Sequence, residues 1–367
     1  MRLVLFSDLH LDAQFAWLGA GAQAARERRM ALRQTLTNIV QLTKEVGAEA
    51  LLCGGDLYEH DHVLPDTTAS IRDAFSALDP IPVYLAPGNH DWYGPQSAYA
   101  QVKWSENVHV FARPAFEPVS LAPGVTLWGA GHSEPASTAN FLRGFSATGS
   151  GVQLALFHGS ERSGFGAAGG GEELHVPFDE ADIGRAGLHH AFLGHFHRAR
   201  AAERHTYPGN PDPLAFGEDG ERGAVVVDVG TDGGVAREWK RVSRTVVQDL
   251  TLDVSGATSF QEIKGRLERL VGTEPTFTRV TLHGELHPDI DLRERDFGVP
   301  PGLHGLLVKF GDLRPAYDFA AIAREATVKG KFVQDVQQAP GLTDSEKRRV
   351  LVTGLRALAG RGDLEVR

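Results

Sequence analysis

The chain has 367 residues, of which 42% are apolar and 23% charged, and carries a net charge of −10. This composition excludes a disordered or fibrous protein. The length exceeds the roughly 250–300 residues that one core sustains, so two domains are expected. No apolar run reaches the roughly 18 residues of a membrane helix. The opening run Met1–Phe6 is shorter than a signal-peptide core, so the expectation is a cytoplasmic protein with no membrane association.

In chain order, residues 2–6 predict a strand, followed by a loop with Gly19 and Gly21. Apolar positions Leu32, Leu36, Ile39, Val40 and Val46 predict a helix over 23–46. Ala50–Cys53 reads as a second strand that ends in Gly54-Gly55. Ile71, Ala74, Phe75 and Leu78 share one face of a helix over 67–78. Further strands are expected at Val83–Ala86, Val108–Phe111, Val125–Trp128, Val152–Phe157, Ala191–Leu193 and Val225–Val229. Gly164–Gly171 reads as a loop. Past Lys240–Val246 the pattern changes to a strand (Val246–Val254), a helix capped by Ser259 and Glu262, and a strand (Phe277–Leu282). A last helix follows a Thr343/Glu346 capping box. Strands alternating with helices and then running in series predict an α/β sandwich flanked by helices. The expected division is a catalytic domain over 1–242 and a small α/β capping or partner-binding domain over 243–367. The lone Cys53 excludes disulfides and multi-thiolate zinc sites within the chain, and it reads as a buried apolar residue.

The charge is unevenly spread. Residues 1–242 hold 19 Lys+Arg against 29 Asp+Glu (19 − 29 = −10), and 243–367 hold 18 of each; 13 of the 16 histidines lie in the first part. Carboxylates with imidazoles suit divalent cations, and a solvated acidic surface accounts for the charge equally well. The acidity disfavours avid non-specific DNA binding.

Five segments repeat one pattern, an apolar strand followed by a metal-ligand type of residue. They are Ser7-Asp8-Leu9-His10, Gly54-Gly55-Asp56, Gly88-Asn89-His90-Asp91, His158-Gly159 and Gly194-His195-Phe196-His197. Carboxyl ends of strands are where α/β folds place ligands. Asp, Asn and His suit manganese, iron or zinc. In Asp8-x-His10 and His195-x-His197, residues two apart share a face of extended backbone. Asp56, after two glycines, is placed to bridge two ions, and two ions can share a hydroxide that attacks phosphorus.

With these five blocks in this order, the sequence resembles the calcineurin-like metallophosphoesterases. Within them it resembles the SbcD-type DNA repair exonuclease branch and its YhaO-like relatives, over roughly 1–240. Gly-Asp-Leu-Tyr at 55–58, the full Gly-Asn-His-Asp and Tyr207-Pro208-Gly209-Asn210 carry that resemblance. The resemblance implies one ion held by Asp8, His10, Asp56 and His197, and a second held by Asp56, Asn89, His158 and His195. Manganese is the favoured metal, with iron and zinc compatible. It implies His90 as general acid, its imidazole oriented by Asp91. It further implies a DNA substrate, an SbcC-like ATPase partner and a homodimer, for which the apolar stripes of helices 23–46 and 67–78 are the motive. The alternatives are a phosphodiesterase for small molecules or nucleotides, and a non-catalytic subunit of a repair complex; the complete ligand set argues against the last. One departure is Glu59, which stands where some nucleases of this branch have a histidine. Arg26, Arg28 and Arg29 are candidate phosphate contacts. Trp92, Tyr93 and Trp104 are candidate base-stacking residues, with core packing expected of at least one. His132 and His205 read as structural.

Overall fold

A computed structural model describes the chain except residues 16–21, 137–138, 165–173, 219, 221, 244 and 361–367. The expected loop at Gly19–Gly21, and all of the expected loop Gly164–Gly171 except Gly164, which ends a 3-10 turn, therefore lie outside the described residues. The chain divides into two compact units: Met1–Gln248 with Pro275–Phe277, and Asp249–Glu274 with the residues from Thr278 on.

The first unit opens with β1 (Arg2–Phe6), α1 (Ala22–Glu45), β2 (Ala50–Cys53), α2 (Pro65–Ser76), β3 (Val83–Leu85), α3 (Ala98–Gln101) and β4 (Val108–Val110). It continues through β5 (Glu117–Ala122), β6 (Val125–Gly129), β7 (Val152–His158), α4 (Glu180–Arg185), β8 (His190–Gly194), β9 (Arg200–Ala201) and β10 (His205–Tyr207). β11 (Ala224–Val229) and β12 (Val235–Lys240) return to the first sheet. Two six-stranded sheets result, in the orders β12-β11-β1-β2-β3-β4 and β5-β6-β7-β8-β10-β9.

Side-chain alternation explains the layering. On β1, Leu3 and Leu5 point into a core shared with Leu127, Leu154, Leu156 and Phe192 of the other sheet. Val4 and Phe6 point the opposite way, onto Leu32, Leu36 and Ile39 of α1 and Ile71 and Phe75 of α2. Strands buried on both faces read as unbroken apolar runs, and Leu3–Phe6 of β1, Ala50–Cys53 of β2 and Leu154–Phe157 of β7 do so. On the outer face of the second sheet, Ala155, Phe157 and Leu193 pack with Ile183 of α4. The stripes of α1 and α2 are therefore buried in this chain's own core, which removes them as the motive for a second copy.

β1, β2 and β3 run parallel to one another, as do β7 and β8. Their carboxyl ends open at one edge of the sandwich, where the five motif segments begin. Glycine permits the close approach there: a Cβ on Gly194 would lie 2.2 Å from the Gly54 carbonyl oxygen. One on Gly88 would lie 2.2 Å from Asp56 Oδ1.

The second unit contains most of a three-stranded sheet, β13 (Val247–Asp253), β14 (Phe277–Leu286) and β15 (Gly305–Pro315), in that order. Helix α5 (Phe260–Val271) buries Ile263, Leu267 and Val271 with Val280, Leu282 and Val308. α6 (Phe319–Ile322), α7 (Val328–Gln338) and α8 (Asp344–Leu358) enclose a small cluster around Val333, Leu351 and Leu355. Both bonds of the expected capping box at Thr343/Glu346 form. Ser259 caps α5 by accepting the Glu262 N–H, whereas the Glu262 carboxylate goes to Thr258.

Candidate metal centre

Each motif residue lies at the end of its strand, as His158 does on β7, or in the loop beyond it. Asp8, His10, Asp56 and His195 adopt positive φ (55°, 47°, 50° and 114°) without being glycine. Left-handed backbone at non-glycine residues costs on the order of 1–3 kcal/mol each and concentrates at functional sites. The sharing of a face by Asp8 and His10 therefore has a different cause from the extended backbone expected of them: a left-handed turn aims both inward. The turn is held by N–H groups of Asp8 and His10 that donate to the carbonyls of Gly55 (2.9 Å) and Asp56 (3.0 Å).

The seven expected ligands converge. Asp56 Oδ2 lies 3.3 Å from His158 Nε2 and 3.8 Å from His10 Nε2, between the two halves of the site. His158 Nε2 is also 3.0 Å from Asn89 Oδ1. His10 Nε2 and His197 Nε2 are 3.2 Å apart. Asp8 accepts the His195 N–H at 3.0 Å and a hydrogen bond from Ser7. Asp8, His10 and His197 bring one ligand atom each within 4.8 Å of one another, as do Asp8, Asp56 and His158. All seven residues except Asn89, His195 and His197 are buried.

The electrostatics match a cation site. Burial opposes ionisation of Asp56, but His158 and His10 outweigh it and hold its carboxyl well below the usual range. Burial also opposes charge on His158, yet Asp56 at hydrogen-bond distance raises it to about 9. Its Nε2 proton faces Asp56 Oδ2 and Asn89 Oδ1, while Nδ1–H donates to the Gly54 carbonyl at 2.9 Å. Burial first, then the charge of His158, pushes His195 down to about 2, so this ring is neutral. Its Nε2 is buried with no hydrogen-bond partner among the described residues. An orphaned neutral imidazole nitrogen beside an anionic cluster fits a divalent ion, and the oxygen and nitrogen donors suit manganese, iron or zinc.

Carboxylates outside the motifs orient the ligating rings, a common arrangement around metal-bound histidine. His197 Nδ1 donates to Glu218 at 2.7 Å, and Glu218 is itself held by the Asn210 amide (2.7 Å) and the Leu214 N–H (2.6 Å). The segment Tyr207–Asn210 thus supports His197, for the Asn210 N–H also donates to the His197 carbonyl at 3.1 Å. His10 Nδ1 donates to Glu59 Oε1 at 2.7 Å. No spacing rule points to Glu218, 21 residues from its partner. Glu59, three residues past Asp56, was legible only as a departure.

His90 sits at the rim with its side chain 45% exposed, its Nδ1 2.9 Å from Glu59 Oε2. That hydrogen bond, against the opposing effect of burial, raises its pKa to about 9. Asp91 does not orient this ring, contrary to expectation. It is fully buried and accepts the N–H groups of Asp56 (3.0 Å), Leu57 (2.7 Å) and Gly88 (2.6 Å) and the Tyr99 hydroxyl (2.6 Å). With no exposed lone pair left, it serves as the knot joining the loops after β2 and β3. Arg28 is likewise no phosphate contact. It is 1% exposed, donates to Asp212 Oδ1 at 2.6 Å, and also reaches Pro213 and Thr245. Arg26 is exposed and Arg29 half-buried. Trp104 packs in the first core and donates to the Tyr99 carbonyl, and Tyr93 packs against the same core. Trp92 instead stacks on His60, with ring centroids 4.0 Å apart. The exposed His62 pairs with Gln14 at 2.7 Å. Buried His132 faces the His158 carbonyl at 3.0 Å, and buried His205 lies 3.3 Å from Glu180.

Residues 1–199 match the family model for calcineurin-like phosphoesterase. The chain is 23% identical over 295 residues to a Bacillus subtilis (strain 168) protein described as "Uncharacterized metallophosphoesterase YhaO", a match covering 76% of this chain and 70% of that one. The solved structure of TT1561 from Thermus thermophilus aligns with 13% identity and a TM-score of 0.35, covering 65% of this chain and 98% of that one.

Proposed function

Because this chain belongs to the calcineurin-like phosphoesterase family, and is thereby a metal-dependent phosphoester hydrolase, we propose that its reaction is two-metal hydrolysis of DNA phosphodiesters, in the manner of a repair nuclease of the SbcD type. The carrying observation is the rim of the site. His90 is half-exposed there, and the His60 N–H donates to the His90 carbonyl at 2.9 Å, which ties the His60–Trp92 stack to it. A flat aromatic face beside the proton donor suits a base next to a scissile phosphate, and stacking of this kind contributes about 1–3 kcal/mol per base.

Asp8, His10, Asp56 and His197 would hold one ion, and Asp56, Asn89, His158 and His195 the other, manganese being the favoured metal. Bound divalent ions supply Lewis-acid activation of water and of the phosphate. The chain's own residues do the rest. Glu218 and the Gly54 carbonyl fix the His197 and His158 rings, so that each presents Nε2 to the cluster. Asp91 locks the Asp56 and Gly88 loops. His90, its Nδ1 held by Glu59, would donate its proton to the leaving oxygen, a contribution typically worth about 10²–10⁴-fold.

The net charge of −10 favours a second reading, a small phosphodiester substrate. In the DNA reading, affinity for the polyanion comes from an SbcC-like ATPase partner or a second copy in the cytoplasm. A manganese-dependent digestion panel separates the readings. It compares single-stranded DNA, duplexes with different ends, cyclic nucleotides and bis(p-nitrophenyl) phosphate. Turnover of DNA, with loss of that turnover in Trp92→Ala, supports the first reading; turnover of the small diesters alone establishes the second.

A further inference from the structure

One carboxylate serves two histidines of different function. Glu59 Oε1 accepts from His10 Nδ1 at 2.7 Å, and Oε2 accepts from His90 Nδ1 at 2.9 Å. The two rings meet edge to face, with centroids 4.7 Å apart. Because the two bonds use different oxygens, both form at once. With Nδ1 of each ring committed to Glu59, the same carboxylate sets where each Nε2 points. For His10 that nitrogen points into the cluster, 3.2 Å from His197 Nε2. For His90 it is the nitrogen left for substrate at the rim.

We propose that Glu59 is the positioning residue that couples ion binding to proton delivery, holding the metal-ligand ring of His10 and the acid ring of His90 through a single carboxylate. The inference rests on the two-metal reading of the site. Other arrangements in the same centre keep these tasks separate: Glu218 reaches only the metal-ligand side through His197, and Asp91 reaches neither ring. Glu59 stands on the loop after β2, between the loop carrying His10 and the loop carrying His90. It is 22% exposed, near enough to solvent for substitution without a buried cavity.

The chemistry of the side chain sets the test. A glutamine has one acceptor oxygen, and its NH2 group cannot accept from an imidazole N–H. Glu59→Gln can therefore satisfy one ring and not both, and Glu59→Ala neither. Three quantities are read for the wild type and both variants. One is the set of hydrogen-bonded Nδ1–H proton resonances of the zinc-loaded protein, assigned with His10 and His90 variants. The second is zinc affinity, by competition with a chromophoric chelator. The third is turnover of an aryl and an alkyl phosphodiester with zinc or manganese saturating.

In the expected result, the wild type shows downfield Nδ1–H protons from both His10 and His90, Glu59→Gln from one of the two rings and Glu59→Ala from neither, while those of His197 and His158 stay. Zinc affinity falls about 10–100-fold in Glu59→Ala, the usual range for loss of a carboxylate behind a metal-bound histidine. The alkyl diester loses more turnover than the aryl diester at saturating metal. The proposal is overturned if Glu59→Gln keeps both protons and wild-type affinity, or if Glu59→Ala changes only one of the two functions. A wild-type protein that binds zinc but cleaves neither diester contradicts the hydrolase reading instead, and the resonances and the affinity still decide the coupling.

Discussion

His10 and His197 face each other through Nε2 atoms 3.2 Å apart, while the Nδ1 of each donates to its own carboxylate, Glu59 at 2.7 Å and Glu218 at 2.7 Å. Nitrogens at this distance share a hydrogen bond, so a proton lies between the rings in the ion-free protein, and a divalent ion ligated by both takes its place.

The first prediction follows from that exchange. Active protein should hold two divalent ions per chain, and chelation should lower its thermal midpoint. At a free-ion concentration of 100 Kd, one site stabilises the fold by about 2.7 kcal/mol. Elemental analysis with differential scanning calorimetry checks both, and a single ion, or a midpoint indifferent to chelator, counts against the assignment.

Loading should release protons. His158 lies near 9 without an ion, above its ordinary 6.5. Its ring is therefore protonated at pH 7–8 in the ion-free protein and must be neutral to ligate. Affinity should climb with pH until about 9 and level off above it. Calorimetry at pH 7.5 in buffers of different ionisation enthalpy reads the released proton directly; identical heats in all buffers would refute the claim.

Asp91→Asn should act through the fold of the loops. The amide places an NH2 group among three N–H donors and the Tyr99 hydroxyl. A buried donor left without an acceptor costs about 1–3 kcal/mol. Stability and bound metal should fall together. A variant that keeps both ions and its midpoint yet loses the acid step would restore Asp91 to the role of orienting His90.

Arg28→Met should destabilise strongly and leave the chemistry intact. The variant leaves Asp212 buried, supported among the described residues only by Thr35 (2.9 Å) and Ser243. Breaking a buried ion pair from one side costs about 3–5 kcal/mol. Urea denaturation measures the loss. An unchanged denaturation midpoint, with a reduced salt dependence of DNA cleavage, would instead make Arg28 a phosphate contact.

The legible parts of this protein were those with a period or a repeated local motif. The apolar strands and the buried faces of α1, α2 and α8 followed from alternation or helical spacing. The donor residues were recognisable because five segments each place one or two at or beyond a strand end. What escaped depends on contacts distant in sequence. Glu218 meets His197 across 21 residues and Arg28 meets Asp212 across 184. Asp91 sits beside His90 in sequence and binds other loops in space. The left-handed turns at Asp8 and His10 carry no glycine to announce them. The edge strands β5 and β12 alternate only between half-buried and exposed positions and were not expected.

The most direct test of the central claim is the turnover of His90→Asn on two phosphodiesters, with metal content measured on the same preparation. An alkoxide leaving from DNA needs a proton, and p-nitrophenolate needs it far less. The account predicts two ions retained, cleavage of DNA reduced about 10²–10⁴-fold, and cleavage of bis(p-nitrophenyl) phosphate reduced far less. Equal losses on both substrates would make His90 a grip on the phosphate oxygens, and loss of an ion would make it a ligand; either result contradicts its assignment as the general acid.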